Sequence, residues 1–102
     1  MTTARRLRLR RAALDDLLAR ERVLARERGA AFARAWSDAL VAWLERLAET
    51  GAQIGAAHAE RPGMRTFAYR RQVTVLARFT DEELQVARLY FRGQDWQHPD
   101  RT

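Results

Sequence analysis

Six large apolar side chains between Ala31 and Ile54, Phe32, Trp36, Leu40, Trp43, Leu44 and Leu47, step by four, four, three, one and three residues. An α-helix, at about 3.6 residues per turn, is the regular structure that gathers such a series onto one side. The stretch is therefore predicted to be a long amphipathic helix, and its wide apolar stripe needs something to cover. Upstream, Leu14, Leu17, Leu18 and Leu24 recur at the same kind of spacing, which predicts a helix from Ala12 to Gly29. Asp15 and Asp16 are expected in its first turns, where the helix dipole favours acids, and Arg26 and Arg28 suit its negative end. With only a residue or two around Gly29 to join them, the two helices must lie antiparallel as a hairpin.

The surface they cover comes from the rest of the chain, where the period changes to two. Leu7 and Leu9 alternate with Arg6, Arg8 and Arg10, so Ala4 to Arg10 is expected to be a half-buried first strand. After a loop from Ala56 to Gly63, Phe67 and Tyr69 share a face. Val73, Val75, Ala77 and Phe79 share another while Thr74 and Leu76 oppose them, the mark of a central strand. Thr80 to Glu83 reads as a turn and Leu84 to Phe91 as the last strand. The predicted class is α+β in the order β-α-α-β-β-β, a helical hairpin on a small, mostly antiparallel sheet. A chain of 102 residues allows one domain, with residues 97–102 expected as a loose tail.

The charge balance narrows the partners. A net charge of +6 and a sequence pI near 11.3 attract polyanions or an acidic protein. All 19 basic residues are Arg, and the abundant Ala beside them suggests a compositional drift, so most are read as a solvated face. The absence of cysteine excludes disulfides and thiol chemistry and is compatible with a reducing cytoplasm. The longest apolar run, Ala39 to Leu44, is far too short to span a bilayer. The Arg-rich start mimics a transit peptide but has no apolar signal stretch, and is read as a basic strand.

Several segments resemble the ParE/RelE toxin superfamily. Ala13-Leu14-Asp15-Asp16-Leu17 is similar to the family's opening of the first helix, Pro62-Gly63-Met64-Arg65-Thr66-Phe67 to the loop and Arg that introduce the second strand, and Val73 to Phe79 to the apolar third strand. Val86-Ala87-Arg88-Leu89 with Gly93-Gln94-Asp95-Trp96 resembles the ending of the ParE branch. Ala77, the Phe91-Arg92 pair, Gln94 and the Tyr69-Arg70-Arg71-Gln72 turn depart from the family pattern. The resemblance spans Ala4 to Trp96 and implies the toxin of a type II toxin–antitoxin pair. In the ParE branch it implies a cytoplasmic, non-enzymatic inhibitor of DNA gyrase, held in check by a cognate antitoxin and needing no cofactor. In the RelE branch it implies an endoribonuclease that cuts mRNA on the ribosome, and a third reading is a remnant of the fold that only binds a partner.

Each reading selects its own residues. A ribonuclease needs a cationic cluster with an acid and a base, for which Arg65, Arg78, Arg92 and His98 are the candidates. An inhibitor needs a contact surface, and the closing strand offers Arg88, Arg92, Asp95 and Trp96. An antitoxin helix could lie in a groove along Trp36, Leu40 and Trp43, whose main role is packing on the sheet. Arg5, Arg6, Arg8, Arg10 and Arg11 would mix with Tyr90, Phe91 and Trp96 on one edge if the first and last strands adjoin. His58, among alanines, is expected to be solvated. His58 and His98, forty residues apart without adjacent acids, make no metal site. Asp81, Glu82 and Glu83 are an ordinary turn cluster.

Overall fold

The computed structural model describes residues 4–92, and every structural statement below concerns those residues. Strand β1 (Arg6–Leu9) half-buries Leu7 and Leu9 and exposes Arg6 and Arg8, as its alternation requires. Helix α1 (Arg11–Arg28) and helix α2 (Ala30–Thr50) are joined through Gly29 alone, at φ 98°, a conformation that side-chain-bearing residues rarely adopt. Helix α2 stops at Thr50, short of the expected Ile54. Gly51 adopts the left-handed conformation there and its N–H returns to the Ala48 carbonyl, the usual glycine stop.

Four strands follow: β2 (Ala56–Ala57), β3 (Arg65–Tyr69), β4 (Val73–Phe79) and β5 (Glu83–Phe91). Strand β2 lies where a loop was expected, because two alanines show no alternation. It pairs antiparallel with Thr66 and Arg65. Gly55 permits the approach: a Cβ there would sit 2.3 Å from the Thr66 carbonyl oxygen. The sheet order is β1-β5-β4-β3-β2, with β1 parallel to β5 and the other pairs antiparallel. The central position read for Val73 to Phe79 is the position β4 occupies, and the α+β hairpin-on-sheet class holds with β2 as one added strand.

The helices cover one face of this sheet. Ala13, Leu17, Leu40, Leu44 and Ala48 pack against Phe67, Tyr69, Val73, Val75, Ala77, Leu84, Val86, Leu89 and Phe91. Three expected stripe members point elsewhere: Leu14, Leu18 and Phe32 are exposed. On α2 the buried series is Ala33, Ser37, Leu40, Leu44 and Ala48; Leu40, Leu44 and Ala48 join the core against the sheet, and Trp36 and Trp43 pack at its margin. In β5 a bulge interrupts the alternation. Leu76 opposes Arg88 while Ala77 opposes Val86, leaving Ala87 unmatched. The extra residue resets the parity, so Leu84, Val86, Leu89 and Phe91 all reach the same core. No helix is long and apolar enough to cross a membrane.

Candidate functional site

Arg88, read from sequence as a target contact, is committed to holding the fold together. Its Nε and one Nη donate to the two carboxylate oxygens of Asp16 at 2.8 and 3.0 Å, and the Leu89 backbone N–H donates to the same carboxylate at 3.0 Å. β1 pairs with β5 only as far as Val86. Beyond it, Asp16 of α1 takes over the edge of β5 that a longer strand would have covered. Asp15 and Asp16 lie past the first turn, contrary to the dipole reading, because α1 begins at Arg11 and that turn holds no acid. The hydrogen bonds to Asp16 raise the Arg88 pKa above its ordinary value, against the opposing effect of burial. Arg92 is exposed, its backbone N–H bonded to the Gln72 carbonyl. Asp95, Trp96 and His98 lie outside the described residues.

Strands β3, β4 and β5 adjoin, yet Arg65, Arg78 and Arg92 do not converge. Arg65 shares the helix-covered face with Phe67 and Tyr69, and its guanidinium donates to the carbonyls of Ile54 and Gly55 at 3.0 and 2.5 Å. It clamps the chain entering β2. Arg78 neighbours Ala77 on β4 and therefore projects from the opposite face, where it is exposed. Arg78 opposes Gln85, seven residues before Arg92, a separation of roughly 20 Å along a strand.

The basic first strand also divides by role. β1 does adjoin β5, pairing with Glu83 to Val86, but Tyr90 and Phe91 lie beyond that overlap and are buried. The arginines of β1 therefore do not meet Tyr90 or Phe91 on this edge; Arg5 instead lies 5.5 Å from the Phe79 ring centroid, and Trp96 lies outside the described residues. Arg5 donates to the Thr80 carbonyl at 2.6 Å and to the Gly51 carbonyl at 2.5 Å, tying the end of α2 to the turn before β5. His58 is buried, contrary to expectation. Its backbone N–H donates to the Met64 carbonyl, and its ring Nδ1 accepts from the Glu60 backbone N–H at 3.1 Å, so the imidazole is tied into the 58–64 loop.

Along α2, Leu40 is wholly enclosed in the core, while Trp36 and Trp43 are half-buried at its margin. Trp36 packs on Phe91 with ring centroids 5.8 Å apart, and Trp43 sits between Phe67 and Tyr69 at 6.0 and 5.2 Å. Only the two rings can offer surface to a partner. Beside Trp43 opens a cleft of about 260 Å³ lined by Ala39, Ala42, Trp43, Arg46, Tyr69 and Arg70. Arg46, Tyr69 and Arg70 escaped the sequence reading. The legible hint was a hairpin turn, Tyr69 to Gln72, with arginines where glycine or asparagine is the rule.

No protein-family model and no curated protein matches the chain. Among solved structures, a chain of the chromosomal ParDE TA system from P. aeruginosa superposes with a TM-score of 0.71 at 24% identity, covering 85% of this chain and 95% of that one. The two chains share one fold. The architecture that the ParE/RelE resemblance implied is thus met, hairpin and sheet together, at an identity that speaks for the fold alone.

Proposed function

We propose that the protein is the toxin of a type II toxin–antitoxin pair of the ParE kind, that it inhibits DNA gyrase by binding rather than by catalysis, and that an antitoxin encoded beside it neutralises it in the bacterial cytoplasm. The observation that carries this reading is the fold shared over 85% of the chain with a chain of a ParDE TA system. The inhibitor is favoured over the ribosome-dependent nuclease by the placement of the arginines. Arg65 is bound to backbone carbonyls, Arg78 projects from the other face and Arg92 sits at the far end of β5, so the three supply no shared phosphate cradle. Arg92, exposed at the end of the closing strand, is a target contact in this reading together with Asp95 and Trp96, which lie outside the described residues.

The test is induction without antitoxin of wild type, Arg92→Glu and His98→Ala, following growth, plasmid supercoiling and mRNA integrity. The inhibitor reading expects lost supercoiling with intact mRNA, weakened toxicity in Arg92→Glu and full toxicity in His98→Ala. A general acid or base contributes roughly 100-fold to 10,000-fold in rate. Codon-linked mRNA cleavage abolished by His98→Ala, with supercoiling normal, would establish the nuclease instead, and a folded wild type without toxicity would establish the partner-binding remnant.

A further inference from the structure

The cleft beside α2 combines an aromatic wall with two cations. Ala39 and Ala42 leave room on the helix side, and Trp43 meets Tyr69 at 5.2 Å with the rings tilted by 55°. Arg46 lines the cleft from the helix, and the Arg70 guanidinium lies 5.1 Å from the Tyr69 ring centroid. No acid lines the cleft, and neither arginine joins an ion pair among the described residues. Arg70 is held there by an unfavourable backbone. Arg70 and Arg71 adopt φ of 51° and 58°, a left-handed pair that glycine or asparagine would occupy with less strain. Strain at a side chain that is not needed for the core is the kind found at binding sites.

We propose that this cleft receives an acidic segment of a partner protein, with one apolar side chain seated beside Trp43 and its flanking carboxylates engaging Arg46 and Arg70. The inference deepens the reading above and rests on its claim that an antitoxin binds the chain. Size argues for a side chain, because the cleft falls just below the range of pockets that enclose a whole small molecule. Ring geometry argues against a nucleic acid strand. Tyr69 is only 3% exposed with Arg70 across its face, and Trp43 is wedged between two rings, so no free aromatic platform is presented for stacking bases. Charge supplies the complement: guanidinium pairs with carboxylates are strong, directional contacts, and the whole molecule carries +6.

The test is isothermal titration at low and physiological salt with the product of the reading frame adjoining the gene, using wild type, the Arg46→Glu/Arg70→Glu double variant and Arg26→Glu as an exposed control. Arg70→Gly is added because it relieves the turn while removing the cation. The expected result is wild-type binding that weakens with salt, unchanged in Arg26→Glu, about tenfold or more weaker in the double variant, and weaker in Arg70→Gly despite a higher melting temperature. Wild-type binding that both cleft variants retain would overturn the site and leave the partner reading standing. No wild-type binding at low salt would overturn the partner reading itself. Displacement of the partner from wild type by single-stranded oligothymidylate, with that oligonucleotide's own binding lost in the double variant, would overturn the peptide assignment in favour of nucleic acid.

Discussion

Asp16 shows how one side chain can decide where the chemistry of a whole strand is spent. Its carboxylate accepts three hydrogen bonds from β5, and the residue is mostly buried, with a side-chain exposure of 17%. Asp16→Ala leaves the Arg88 guanidinium without its partner and the Leu89 N–H without an acceptor in a nearly dry place. Charge-assisted bonds of this kind contribute about 1.5 to 3 kcal/mol, and a loss near the middle of that range is expected in urea unfolding, with little change in the slope. Arg88→Glu should be worse, since it sets a second carboxylate against Asp16. Toxicity lost in Arg88→Glu would therefore report on folding, whereas on the proposed reading a loss in a variant of the exposed Arg92 would report on the target. The sequence contains Asp16 and Arg88 in plain view, but 72 residues separate them, and no local rule joins them.

At the scale of elements, the helical stripe was correctly located and unevenly used. Leu40 is completely buried, and Leu40→Ala should cost roughly 2 to 5 kcal/mol. Leu18 is 41% exposed although it belongs to the same apolar series as Leu17, and Leu18→Ala should stay within about 0.5 kcal/mol. Denaturant melts of the pair separate a periodic pattern from actual burial. The β3–β4 turn makes the opposite prediction. Arg71 is exposed at φ 58°, where an ordinary residue is strained by roughly 1 to 2 kcal/mol. Arg71→Gly recovers part of that, less the greater entropy of glycine in the unfolded chain. A net gain near 0.5 to 1 kcal/mol, seen as a melting temperature a few degrees higher, is expected, with partner binding unchanged because Arg71 does not line the cleft.

For the whole molecule, closure depends on contacts between the two ends of the sequence. β1 completes the sheet by pairing with β5, and Arg5 reaches Thr80 across 75 positions while also holding the end of α2. Deletion of residues 1–10 would bare the edge of β5, leave Leu84 and Val86 partly uncovered and remove the Arg5 clamp. Loss of cooperative thermal unfolding, together with concentration-dependent association through the exposed edge, is the expected outcome. A truncated protein that melts as sharply as the full chain would show that β1 is dispensable.

Periodicity by itself was enough to place both helices, the first strand, the central strand and the last one, because a buried face writes its own spacing into the sequence and the central strand is apolar on both faces. Gly29 marked the end of α1 for a local steric reason, whereas the end of α2 was expected at Ile54 and falls at Gly51. Other features follow from packing between distant segments. Strand β2 has no pattern of its own and exists because β3 is there to pair with it. The bulge at Ala87 changes which side of β5 faces the core, a parity that alternation cannot count through. The cleft is equally invisible in one dimension: Trp43 and Arg46 share a helix face, but only the docking of α2 over β3 brings Tyr69 and Arg70 against them. Local spacing determines the elements, whereas the meeting of side chains far apart in sequence, which sets the free and the committed arginines, is decided by how those elements pack.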